Sequence, residues 1–284
     1  DGGGGGGGRI AIYSQNPLPS LSFDVGGGFG SNPGGEGTIF QDLVDPDLST
    51  IAAQPELVPT DGSSVAVITV TVNNPEEYPL SDKSVEIWID QGNEVLIDGS
   101  IVYPSEHHWI GNTNASGVVT TTISAESAGP RTIRAIAGGD TLNNQATVNF
   151  IPGPVDVNKS QISVEPQVAA ADGATPINVT ATIFDQYNNR IPGADVTLSV
   201  SGNASILQQT GITDDYGETT GKIVDSTAET VTITATVNGA FFDSASVSFR
   251  TADLTVNKAA IAPALSGNST THATAGYPIT YTIA

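Results

Sequence analysis

The chain carries the same module twice, and this internal repeat constrains its folding more than any other feature. Ile51, Pro55, Asp61-Gly62 and Thr69 recur 111 positions later as Ile162, Pro166, Asp172-Gly173 and Thr180, and Val85–Ile89 recurs at the same displacement as Val196–Val200. Past an insertion in the first copy the displacement falls to 100. Thr113, Gly117, Ile133, Ala135 and Gly139 then match Thr213, Gly217, Ile233, Ala235 and Gly239, and Val148 and Phe150 match Val247 and Phe249. A chain of 284 residues repeating at this length is expected to build small separate cores. The division that follows is a glycine-rich β segment (1–45), a first repeat with an inserted loop (46–152), a second repeat (153–250) and a partial C-terminal β module (251–284).

Both copies have the two-residue period of half-buried strands. Ile177, Val179, Ala181 and Ile183 alternate with Asn178, Thr180 and Thr182, and Val231, Ile233, Ala235 and Val237 alternate with Thr232, Thr234 and Thr236. Further β segments at 162–164, 196–200, 205–207, 219–224 and 245–249 bring the second copy to seven expected strands. Turn residues separate them at Asp172-Gly173, Tyr187-Asn188-Asn189, Pro192-Gly193, Asp214–Gly217 and Asn238-Gly239. No segment sustains a 3.6-residue apolar period. The expectation is an all-β protein of tandem Ig-like antiparallel β-sandwiches, without the disulfide and core tryptophan of antibody domains.

The run from Ala171-Asp172-Gly173 through Val179–Asn189 to Ile191-Pro192-Gly193-Ala194-Asp195-Val196 resembles the bacterial Ig-like repeats of invasin and intimin type. Thr213–Glu218 followed by Val231–Gly239 is similar to the second half of that repeat. The match is looser over 48–151, where Asn73-Asn74-Pro75-Glu76-Glu77 replaces the Asp-x-x-Gly-Asn type of turn. Residues 251–284 resemble the opening of another prokaryotic surface-repeat module, with only about two strands, too few for a core of their own. These resemblances imply stalks, spacers and surface assemblies, and they bring no catalytic residues.

Charge narrows the partners. Thirty acidic residues face nine basic ones, a formal net charge of -21, so the chain repels phosphate backbones and anionic headgroups. No nucleic acid and no membrane insertion are expected; the expected partners are copies of itself, neighbouring surface proteins and glycans. Cysteine is absent, which removes disulfides and thiolate metal sites. Methionine is absent too, so a chain opening at Asp1 reads as a processed product or a piece of a longer polypeptide, extracellular and at the cell surface. Fourteen of the 32 glycines fall within residues 1–37. An ordered glycine tract needs something to pack against. The stretch from Gly2 to Gly8 with Ile10 and Ile12, and the C-terminal Ile279, Tyr281 and Ile283, are therefore candidate assembly segments.

The insertion supplies the other candidates. Tyr103, His107, His108 and Trp109 gather two of the three histidines and one of the two tryptophans on one loop, a candidate binding or assembly contact. Adjacent histidines on an extended segment point to opposite faces, which disfavours their sharing one metal. No cofactor is expected. Calcium is the candidate cation, at Asp185, Asp214 and Asp215, although turn chemistry alone accounts for aspartates there. Asn203 and Asn268 are the candidate glycosylation acceptors. The chain has no G-x-S-x-G elbow and no H-E-x-x-H pair, so no enzymatic activity is expected. The leading expectation is a non-enzymatic structural protein of a prokaryotic cell surface, a building block of a fibre, sheath or surface layer. A stalk fragment of an adhesin binding a receptor or glycan, and spacer modules of a secreted polysaccharide-active enzyme, are the alternatives.

Overall fold

The structure is a computed structural model that describes residues 11–12, 40–41, 43–209 and 211–251. All regular structure among these residues is β, as the two-residue period required. Ala11–Ile12 (β1) and Phe40–Gln41 (β2) form a small parallel pair. The expectations placed on Gly2, Gly8, Ile10, Ile279, Tyr281, Ile283 and Asn268 lie outside the described residues.

The first sandwich is built from Thr50–Gln54 (β3), Leu57–Thr60 (β4), Ala66–Thr71 (β5), Ser84–Gln91 (β6), Val95–Ile97 (β7), Ser100–Val102 (β8), His108–Asn112 (β9), Val118–Ser124 (β10), Gly129–Ala137 (β11), Asp140–Thr141 (β12) and Ala146–Pro152 (β13). One sheet runs β3-β5-β10-β7-β8, and the other runs β4-β13-β11-β6-β9 with β12 on β11. The second sandwich uses Gln161–Glu165 (β14), Val168–Ala170 (β15), Ile177–Thr182 (β16), Val196–Val200 (β17), Ser205–Gln209 (β18), Glu218–Val224 (β19), Thr230–Val237 (β20) and Ala240–Arg250 (β21). Its sheets run β14-β16-β19-β18 and β15-β21-β20-β17. The insertion in the first copy thus extends each sheet by one edge strand, β8 on one and β9 on the other.

Each sandwich buries its own apolar face. Ile68, Ile87, Ile89, Ile133 and Phe150 fill the first core, and Ile177, Ile183, Val231, Ile233 and Phe249 fill the second. Each such side chain contributes about 1.5–3 kcal/mol when fully buried. The repeat register survives in three dimensions: β11 pairs Arg131 with Val148 on β13, and β20 pairs Val231 with Val247 on β21. The hairpin between β20 and β21 turns on Asn238 (φ 49°) and Gly239 (φ 80°), two left-handed residues that match the strand twist.

In both copies the first strand splits between the sheets. β3 pairs antiparallel with β5, but β4 crosses over to pair parallel with β13. β14 and β15 do the same, onto β16 and β21. Among the described residues no helix is long and apolar enough to cross a membrane.

Candidate functional site: the joint between the sandwiches

Residues 153–160 lead from β13 into β14, and the polar chemistry of the structure is most concentrated here. The turn Asp185–Asn189 of the second sandwich is self-built: Asp185 Oδ1 accepts from Tyr187 N (2.9 Å) and Asn189 N (2.8 Å), and Asn188 takes a left-handed φ of 64°. Asparagine tolerates that conformation better than most residues. The other carboxylate oxygen faces the first sandwich. Asp185 Oδ2 accepts from Thr60 Oγ1 at 2.7 Å, Gly153 N at 2.9 Å and Asn189 Nδ2 at 2.8 Å. Its donors thus come from the last residue of β4, from the linker and from its own turn.

Asn189 extends the contact. Its Oδ1 accepts from Ala128 N (2.8 Å), and its Nδ2 reaches Glu126 O (2.8 Å) and Thr60 Oγ1 (3.1 Å). The amide therefore matches one donor and one acceptor of the 126–130 loop, a bidentate contact that fixes orientation as well as distance. Asp185 and Thr60 have no exposed surface. A buried carboxylate is costly unless fully hydrogen-bonded, and here both oxygens are satisfied. Burial opposes ionisation of Asp185, but the bonds from Asn189, Gly153 and Thr60 outweigh it and hold the carboxyl below its ordinary value.

Close approach at the joint needs glycine at two places. A Cβ on Gly153 would lie 2.6 Å from the Thr60 carbonyl oxygen, and one on Gly62 (φ 78°) would lie 2.5 Å from the Tyr187 hydroxyl. Gly62 belongs to a turn capped by Asp61, whose Oδ1 accepts from Ser63 N and Ser64 N.

The inserted strands form a second feature. Along β9, Trp109 stands opposite Glu86 of β6 and is 60% exposed. His107 stacks on Trp88, ring centroids 4.8 Å apart and planes within 1°, with Nδ1 3.3 Å from Glu86 Oε2. His107 and Trp109 therefore share an outward face, and the half-buried His108 between them pairs across to Ile87. Tyr103 lies apart from this group, exposed beside Ile101 in a shallow cleft with Glu94 and Glu126.

The remaining candidates scatter. Asp214 caps its own turn through Tyr216 N and Glu218 N, Asp215 is exposed beside it, and Asn203 sits in an exposed turn. Among the described residues no three His, Asp or Glu side chains group as metal ligands. Asp185 was singled out by sequence as a cation ligand, and the structure places it in the joint. Of its partners there, Asn189 reads in sequence only as a turn residue and Gly153 only as part of a stiff linker, and Thr60 draws no attention. Their only signal in the sequence is that the Asp-x-x-x-Asn turn follows a short Pro-Gly-Pro linker.

Comparison with known proteins agrees with this architecture. Residues 159–250 match the family model of the bacterial Ig-like domain (group 1), and residues 45–153 match that of invasin, domain 3. The inverse autotransporter adhesin YeeJ of Escherichia coli strain K12 is 23% identical over 171 residues, covering 58% of this chain and 7% of YeeJ. Invasin, a bacterial integrin-binding protein, superposes with a TM-score of 0.55 at 21% identity, over 74% of this chain and 41% of invasin. InvD of Yersinia pseudotuberculosis gives 0.53 at 21% identity, over 75% of this chain and 60% of InvD. The chain thus spans only part of each of these relatives. YeeJ is an adhesin and invasin binds integrin, which agrees with the cell-surface location expected from the sequence. The two sandwiches described here are bacterial Ig-like domains of invasin and intimin type.

Proposed function

We propose that the chain is a stalk segment of a bacterial surface adhesin, without catalytic activity, whose task is to hold successive Ig-like sandwiches in a fixed mutual orientation. The observation that carries this reading is the Asp185 carboxylate, shared by donors from the first sandwich, the linker and the second sandwich. A flexible tether has no use for a buried, fully bonded carboxylate at its centre. The relatives support the adhesin setting over fibre or sheath building, which rests on terminal segments outside the described residues. The exposed Trp109 and the His107–Trp88 stack support a second role for the same segment, an aromatic contact for a receptor or glycan on the inserted edge.

The test uses the absence of native cysteine. Spin labels on cysteines introduced at the exposed Thr120 and Lys222 report one distance across the joint. A narrow distribution is expected for the parent and a broad one for Asp185→Ala, which removes the acceptor that joins Thr60, Gly153 and Asn189 and leaves Thr60 Oγ1 only its longer bond to Ile151 O (3.2 Å) and Gly153 N only its bond to Thr60 Oγ1 (3.1 Å). An equally broad distribution in the parent would remove the stalk reading.

A further inference from the structure

Arg131 is 1% exposed, the largest buried side chain of the molecule's described part, and it has no carboxylate partner within salt-bridge distance among the described residues. Its guanidinium lies over the Phe150 ring at 5.7 Å, and burial lowers its pKa, with Glu94 acting the other way. Taking a cation out of water costs several kcal/mol even after relaxation. The fold itself does not require it. The matching position of the second sandwich is Val231, in the same register on the same strand and fully buried, so an apolar residue closes this part of the core.

The guanidinium's hydrogen bonds show what it does instead. Nη1 donates to Gly129 O (3.1 Å) and Pro130 O (3.2 Å), and Nη2 donates to Ser127 O (2.8 Å) and Ser127 Oγ (2.7 Å). All of these acceptors belong to the 126–130 loop, the loop whose Glu126 O and Ala128 N bracket the Asn189 amide. In the second sandwich the corresponding loop is held from outside, by the half-buried Glu229 accepting from Asn203 N (2.7 Å).

We infer that Arg131 is a positioning residue for the joint: from inside the first core it fixes the 126–130 loop in the one shape that receives Asn189 of the second sandwich. The inference rests on the stalk reading, and it adds a determinant of joint geometry that touches no residue of the second sandwich. It also explains the difference between the repeats, since the buried cation is found in the copy whose loop bears a docked neighbour.

The experiment compares Arg131→Val, Arg131→Lys and Asn189→Ala in the full chain, with the labels at positions 120 and 222. Two quantities are read, the width of the distance distribution and the exchange rate of the Ala128 amide. Arg131→Val is expected to widen the distribution toward that of Asn189→Ala and to speed Ala128 exchange about tenfold, the change equivalent to one hydrogen bond of ordinary net strength. Exchange in the core of β11, at Ile133 and Ala135, should stay slow. Arg131→Lys, which keeps the charge but loses the planar fork, should fall between, and it reads the same effect if the valine variant does not fold. A narrow distribution in both Arg131 variants beside a broad one in Asn189→Ala would overturn the inference and leave the stalk reading standing. A narrow distribution in Asn189→Ala as well would overturn both.

Discussion

Single aspartates do much of the work at the chain's turns, and their environments separate them into two kinds. Asp61 and Asp172 occupy the same place in the two repeats, each accepting two backbone N–H bonds from the residues just after it, with two hydroxyls added at Asp61 and one at Asp172. For Asp172 the N–H groups of Thr175 and Ala174, then the Thr175 hydroxyl, lower the carboxyl to about 2. Because the folded value is depressed, the stabilisation is complete above the unfolded value near 3.8 and is lost as pH falls toward 2. The second sandwich is therefore expected to lose melting temperature between pH 4 and pH 2, and Asp172→Ala should flatten that dependence while lowering the melt at neutral pH. An unchanged acid slope in the variant would show that this cap does not contribute. Asp185 is lowered in the same direction but bonds across domains, so its protonation, below the ordinary carboxylate value, should loosen the joint. The recurrence of Asp61-Gly62 as Asp172-Gly173 was legible in the sequence, because a local cap leaves its partners two and three residues away. The partnership of Asp185 with Thr60 was not, since 125 residues separate them and no periodicity connects them.

At the scale of elements, the repeat predicted more than matching strands. Thr113 Oγ1 donates to Leu80 O (2.6 Å) and accepts from Lys83 N (2.9 Å), and Thr213 Oγ1 donates to Ile191 O (2.8 Å) and accepts from Ala194 N (2.8 Å). Each hydroxyl makes one fully buried and one partly buried bond to backbone groups of the segment before an inner strand. Thr213→Val keeps the shape and deletes both bonds, so it should lower the stability of the second sandwich by about 1–3 kcal/mol in a denaturant titration, and leave the first sandwich unaffected. A variant as stable as the parent would deny the hydroxyl this role. The alternating segments of β16, β17, β19 and β20 were readable because one face of each is buried at every second residue. β15 was not: it has three residues, only Ala169 of them buried, and its parallel pairing on β21 has no local signature. β21 begins at Ala240, earlier than the alternation from Ala245 suggested, because a register shift opposite Ala235 and Thr236 interrupts the period. The aromatic group on β9 was foreseen as a cluster in sequence, but which ring stacks on which depended on β6 supplying Trp88.

For the molecule as a whole, the parallel closing pairs bear on how a stalk segment meets force. In the second sandwich the entering strand β15 lies parallel to the leaving strand β21, with Val168 beside Ser248 and Ala170 beside Arg250, and β4 beside β13 repeats this in the first. Tension on the two chain ends pulls such neighbours along their length in opposite directions. Their hydrogen bonds, among them Ala171 N to Arg250 O and Ser248 N to Gln167 O, are then strained together instead of one after another. An antiparallel hairpin pulled apart at its open end fails bond by bond, at lower force. Single-molecule pulling through the chain ends is therefore expected to give two unfolding events, one for each separate core, both at high force. The missing native cysteines allow the axis to be changed at will. Handles on cysteines at Thr230 and Ser248, paired across β20 and β21 near the hairpin's open end, should unfold the same second sandwich at clearly lower force. Equal forces along the two axes would mean that strand orientation contributes nothing to mechanical resistance. A lower force along the hairpin axis, with an unchanged melting temperature, would assign the resistance to topology and leave the polar joint to set orientation between domains.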